Sequence, residues 1–204
     1  VTNMQNIFMN TTAFNNGGSP SISGWTTSNV TNMNSSFRSS AFNQPIGNWE
    51  TGGVTDMTNT FLSNTTFNQD ISTWDTSSVI NMASMFQTAT AFNQPIGSWD
   101  TGNVTIMSNT FNNASNFNQN IGSWNVSGVT NMVNILNNTN TSTANYDSLL
   151  TGWTGWVTSA TKTLQSNVSL GAGSTTYSNG TTADDARSYL VTGLTWTITD
   201  GGGV

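Results

Sequence analysis

The chain has no cysteine and no histidine. Without cysteine there are no disulfides and no thiolate metal sites. Without histidine, the commonest general base and the commonest transition-metal ligand are missing. Charge is also scarce. Only 6% of residues are charged, the basic ones are Arg38, Lys162 and Arg187, and the net charge is −6. A nucleic-acid partner needs a basic footprint to neutralise phosphates, and an anionic membrane draws on the same attraction, so neither partner is expected. The longest apolar runs fall far short of 18 residues, so no membrane insertion by this segment is expected. P-loop, nucleophile-elbow, kinase and zinc motifs are all missing, which reads as a protein that is not an enzyme.

What fills the chain instead is 31 Asn and 36 Thr, about a third of its 204 residues. They give a neutral surface of amides and hydroxyls, usual for extracellular and cell-surface proteins. Polarity of this kind also suits a disordered tract. The 8 Trp, 10 Phe and 8 Met argue the other way, because they recur at fixed spacing.

The motif V-x-x-M-x-x-x-F begins at Val30, Val54, Val79 and Val104, with a degenerate copy from Val129 to Leu136. A second motif, F-N-Q-x-I-x-x-W, runs Phe42–Trp49, Phe67–Trp74, Phe92–Trp99 and Phe117–Trp124, an interval of 25 residues. A first copy reads Val1, Met4, Phe8, Phe14, Ile22 and Trp25, with four extra residues around Gly17–Pro20. Self-similarity at this period marks a stacked repeat. One unit cannot bury six large side chains alone. Stacking gains about 1.5–3 kcal/mol per buried side chain, on the order of 10 kcal/mol per unit before entropy is subtracted.

Within a unit, Ile71-x-x-Trp74-x-Thr76 reads as a short strand, with Trp74 and Thr76 inward and Asp75 outward. A turn at Ser77-Ser78, Gly52-Gly53 or Gly102-Asn103 follows. Val79, Met82 and Phe86, at i, i+3 and i+7, read as one face of a short helical or 3₁₀ turn. Asn43, Asn68, Asn93 and Asn118 each follow the second Phe and read as an internal ladder, amide to backbone of the next unit. The expected fold is therefore a leucine-rich-repeat-like solenoid over residues 1–140, five to six coils of one strand and one helical turn. A small mixed α/β capping module, 141–204, follows. In it Asn145–Trp153 and Thr182–Val191 read as helices, with Thr182 as N-cap, and Val168–Leu170 and Thr195–Thr199 as strands. Val1 falls in mid-repeat and Gly201–Gly203 reads as a linker, so a piece of a longer polypeptide is expected.

The stretch F-N-Q-D-I-S-T-W-D-T-S-S-V-I-N-M-A-S-M-F, Phe67–Phe86, resembles the BspA-like 25-residue-repeat bacterial surface proteins, a leucine-rich-repeat-like group also seen in mycoplasma lipoproteins. The tail segments Tyr146–Trp153, Leu164–Val168 and Trp196–Gly202 resemble the module that follows such repeats. The resemblance implies a surface protein or adhesin. Two departures stand out: the insertion at Gly17–Pro20, and Ile106 where other copies carry Asn3, Asn32, Asp56 and Asn81.

On the expected strand face, outward residues form a row: Thr26, Glu50, Asp75, Asp100 and Asn125, flanked by Asn48, Thr73, Ser98 and Ser123. This strip suits hydrogen bonding to a protein or a carbohydrate at a cell or matrix surface. The carboxylates of Glu50, Asp75 and Asp100 also offer a weak Ca²⁺ site; no other cofactor is expected. An open row lacks the cleft that paired acid–base catalysis needs, and its mixed ranks argue against ice binding. The expected function is non-catalytic extracellular recognition or adhesion. The alternative is a structural repeat of a larger filament or phage tail fibre, on a virion or filament surface.

Overall fold

The computed structural model describes residues 1–13, 20–155 and 163–204. Phe14, residues 17–19 of the insertion, and Lys162 lie outside the described residues. Regular elements are few. In chain order they are α1 (Thr143–Gly155), β1 (Ser169–Gly171), α2 (Thr182–Ser188) and β2 (Thr197–Thr199). A π-helical turn, Tyr189–Gly193, follows α2, and a 3₁₀ turn spans Pro20–Gly24.

This corrects the expected fold class. Among the described residues of the repeats there is neither a strand nor an α-helix, so the chain does not build a leucine-rich-repeat-like solenoid of strand-and-helix coils. The segment read as a strand is a chain of turns. Trp74 N–H donates back to the Ile71 carbonyl at 3.1 Å, and Val79 N–H to that of Thr76 at 2.9 Å. Between them the Asp75 carboxylate accepts the Ser77 amide at 3.0 Å, an Asx turn. Trp74 and Thr76 are buried and Asp75 is exposed, but successive turns, and not a pleat, set that alternation.

The expected helical turn fails for another reason. Residues two and six positions after the Met of each Val-x-x-Met motif have left-handed backbone: Asn6 and Asn10, Ser35 and Ser39, Asn59 and Ser63, Ser84 and Thr88, Asn109 and Asn113, Asn134 and Asn138. An α-helix cannot continue through such residues, and Asn is the non-glycine residue that tolerates them best. The backbone therefore alternates its bonding. The amides of Met57, Asn59, Phe61 and Ser63 donate to the carbonyls of Asn81, Ala83, Met85 and Gln87 in the next repeat, at 2.8–3.0 Å. The amides of Thr60, Leu62 and Asn64 bond back to Met57, Asn59 and Phe61. Single-residue parallel bridges link Asn3, Asn32, Asp56, Asn81, Ile106 and Asn131 in turn. The row continues from Met132 to Leu170 of β1, which pairs in parallel with Ile198 of β2.

The repeated apolar positions form the core. Val54, Met57, Phe61, Phe67 and Ile71 are fully buried, and Trp74 is nearly so. Their rings stack along the array, as Phe61 on Phe86 at 5.4 Å and Trp74 on Trp99 at 6.5 Å. Buried polar atoms are satisfied between repeats. Trp49, Trp74, Trp99 and Trp124 donate their ring N–H to the carbonyls of Ile22, Ile46, Ile71 and Ile96 at 2.9–3.1 Å. The Thr60 hydroxyl lies between the Met33 and Met57 carbonyls.

The asparagine ladder is present, with its polarity refined. The side-chain oxygens of Asn43, Asn68 and Asn93 accept the backbone amides of Asn68, Asn93 and Asn118 at 2.9–3.0 Å. They run along the surface and not inside, since Asn43 and Asn68 are exposed.

Helix α1 occupies the next register. Tyr146, Leu150 and Trp153 repeat the spacing of Phe117, Ile121 and Trp124, and all three are buried. Trp153 donates to the Ile121 carbonyl at 3.0 Å, and the Asn145 amide reaches the Asn118 backbone and side-chain oxygens at 2.9 and 2.8 Å. The N-cap of α2 is Thr181, one residue before the expected Thr182, and its hydroxyl accepts the Ala183 amide. Behind α1, Arg187 grips Asp200 through two bonds of 2.7 and 3.0 Å, and Tyr146 donates to the same carboxylate at 3.0 Å. Burial, then the Asp200 charge, push the Tyr146 hydroxyl well above its ordinary pKa.

Candidate functional site

The nine residues expected on one strand face sit one repeat apart on the tryptophan side, but turns present them and most have internal work. The hydroxyls of Thr73, Ser98 and Ser123 donate to the carbonyls of Gly47, Ser72 and Gly97 in the preceding repeat. Asp75, Asp100 and Asn125 each accept the amide two residues on, from Ser77, Gly102 and Ser127, at 2.9–3.1 Å. Asn125 is buried. Thr26 is exposed beside Trp25, in a separate apolar recess with Val1, Met4 and Ile7. Asn48 and Glu50 are exposed.

Glu50 is the exception among the carboxylates of its row. Its longer side chain does not cap its own turn, and among the described residues nothing hydrogen-bonds its carboxylate; only its backbone amide is bonded, to the Thr27 hydroxyl at 2.8 Å. Around it the surface opens into a groove of about 590 Å³ lined by Ser28, Asn48, Glu50, Gly52, Thr73 and Asp75, among others. A smaller recess of about 260 Å³ shares Gly47, Asn48 and Thr73 and adds Asp70. The structure thus gathers Asn48, Glu50, Thr73 and Asp75, and leaves Thr26, Ser98, Asp100, Ser123 and Asn125 outside that groove.

The groove exists because the repeat is interrupted there. In neighbouring repeats a side chain four residues after the Trp reaches back to a turn carbonyl: Ser78 to Gly52 at 2.6 Å and Asn103 to Ser77 at 2.7 Å. Gly53 holds that position here and has no side chain to send. A Cβ on Gly53 would stand 3.7 Å from the Ser28 carbonyl, which no donor among the described residues reaches. Gly128 leaves the Gly102 carbonyl similarly unserved, but no free carboxylate faces it. Beneath the groove the Asp75 carboxylate lies over Gly52: a Cβ there would be 2.8 Å from Oδ2. Oδ1 is held by the Ser77 hydroxyl at 2.6 Å and by its amide, and these bonds lower the Asp75 pKa. The Ser72 amide and hydroxyl do the same for Asp70. Both carboxylates are therefore charged at neutral pH. The sequence did carry a signal for this place: Val30 and Val54 are one residue closer than the other motif starts, and Gly52-Gly53 replaces a turn with side chains.

The groove also lies on the splayed side of the array. Ring spacing between repeats is 5.2–5.6 Å for Phe37, Phe61, Phe86 and Phe111, beside the backbone ladder, and 6.1–6.5 Å for Trp25–Trp49, Trp74–Trp99 and Trp99–Trp124. The expected strand face is not where these residues are, because the described repeat residues form no strand. No three acidic residues gather into a metal-holding group among the described residues, so the Ca²⁺ expectation at Glu50, Asp75 and Asp100 is set aside. No helix among the described residues is long and apolar enough to cross a membrane.

Stacked repeats joined by backbone and side-chain ladders, with a recess where one repeat departs from the rest, define a repeat protein. The family described as "Mycoplasma protein of unknown function, DUF285" matches residues 1–61 and 37–153, together three quarters of the sequence, and the chain belongs to it. No curated protein and no solved structure matches the chain.

Proposed function

We propose that this chain is a non-catalytic extracellular recognition or adhesion module of the BspA-like surface type, binding a protein or glycan through the groove at Asn48, Glu50, Thr73 and Asp75. The observation that carries the reading is Glu50. It is a carboxylate free of internal partners among the described residues at the mouth of a 590 Å³ groove, in a row where Asp75, Asp100 and Asn125 each cap their own turn. Exposed polar groups not consumed by the fold are what a partner can use. The groove is open to solvent, which suits binding and gives a reaction no enclosed site.

The test is a glycan and matrix-protein array probed with the whole chain, followed by titration of the hits. Glu50→Ala with Asp75→Ala is expected to weaken binding at least about tenfold, a loss of about 1.4 kcal/mol. Hits retained at full strength by the double variant would mean that another surface is the binding face.

A further inference from the structure

We infer that the groove takes a cation: the protonated amine or guanidinium of a lysine or arginine presented by a partner protein. The inference rests on the recognition reading above and narrows its partner to a protein. It follows from the balance of donors and acceptors. Three acceptors point into the same recess without partners among the described residues: the Glu50 carboxylate, Asp75 Oδ2 over Gly52, and the Ser28 carbonyl that Gly53 leaves unserved. The nearby Thr73 hydroxyl is already donated to Gly47. A ligand seated here must bring hydrogen-bond donors, and a positively charged donor gains most from two carboxylates.

Among the described residues no basic side chain lines this place. Arg38 sits on the laddered side, where its carbonyl takes the Asn10 amide, and Arg187 is committed to Asp200. Lys162 lies outside the described residues. Fixed negative charge without a neutralising side chain, in a recess of about 590 Å³, is complementary to a single extended basic side chain and its flanking backbone. A lysine ammonium has three donors for these three acceptors. The register makes the contrast internal: at Asp100 the same row carries a carboxylate whose Oδ1 caps Gly102, and its position is not among the groove's lining residues.

The experiment is a ¹⁵N–¹H NMR titration of the whole chain with two probes: an N-acetylated, C-amidated pentapeptide with one central lysine among Gly and Ser, and a neutral methyl glycoside. The lysine peptide is expected to shift, saturably, the amides of Asn48–Gly53 and Thr73–Ser77, and to weaken with salt. Glu50→Gln should reduce its affinity about tenfold or more. Gly53→Ser, which puts a hydroxyl where Ser78 has one, should reduce it too. Asp100→Asn should change nothing. Equal loss in Asp100→Asn and Glu50→Gln, or shifts spread over Asp184 and Asp185, would show only the general negative field and overturn the inference. Saturable shifts of the groove amides by the glycoside alone would overturn it while leaving the recognition reading intact. Silence of these amides to both probes and to the array hits would remove both.

Discussion

Asparagine does three separate jobs in this chain, and only one of them was plain beforehand. In Asn43, Asn68 and Asn93 it forms a side-chain ladder between repeats, as its fixed place after each second Phe suggested. In Asn32, Asn81 and Asn131 it caps the turn after each bridge, accepting the amide two residues on at 2.8–3.1 Å, a job that Asp56 does at the equivalent position. Ile106 has no such acceptor, which explains what the departure at that position removes. In Asn59, Asn109 and Asn134 it holds left-handed backbone, with φ of 57° in each. This last role yields a sharp comparison. Asn59→Val forces a β-branched residue into that conformation and should cost about 1–2 kcal/mol. Asn59→Gly should leave stability near the parent value. Urea unfolding of the two variants checks it; equal midpoints would show that the left-handed turn is not held at this residue.

At the scale of elements, the repeats and α1 meet through two glycines. A Cβ on Gly152 would run into the Gly122 carbonyl, and one on Gly122 into that of Ser148. The helix can approach this closely only because neither residue has a side chain. Helix propensity alone favours Gly→Ala by about 1 kcal/mol, so the sign of the effect decides which influence wins. Gly152→Ala should destabilise the protein, by about 1–3 kcal/mol. Gly155→Ala, on the same helix with no described residue within 4 Å of its Cβ, should be neutral or stabilising. Thermal unfolding of both variants gives the answer, and a Gly152→Ala protein more stable than the parent would contradict the docking of α1. A helix was expected here, over Asn145–Trp153, and α1 spans Thr143–Gly155. That Trp153 inherits the ring N–H bond of the repeat tryptophans was hidden, because a loop and a helix can present the same i, i+4, i+7 positions to one neighbour.

Across the whole molecule, the apolar positions were legible because burial acts on residue type: Val54, Met57, Phe61, Phe67, Ile71 and Trp74 recur and are buried. The path of the backbone between them was not. Val79, Met82 and Phe86 fit helical spacing, yet Ser84 at φ 55° and Thr88 at φ 60° fold that segment into tight turns. Ile71, Trp74 and Thr76 favour a strand, yet Asp75 and Ser77 close a turn among them. Propensity is a weak guide where side chains bond the backbone locally, and this chain is rich in residues that do so. The site was legible in part. Glu50 and Asp75 were singled out as a row, while the groove arises from what the sequence omits, the side chain at Gly53.

The account depends on each repeat bonding to the next along the Met–Phe segment, since that ladder sets the splay on which the groove opens. Hydrogen-bond scalar couplings, measured by long-range HNCO, test it directly. Cross-peaks are predicted from the amides of Met57, Asn59, Phe61 and Ser63 to the carbonyls of Asn81, Ala83, Met85 and Gln87. Couplings from residue to residue four back within Val79–Phe86, with none to the neighbouring repeat, would contradict it.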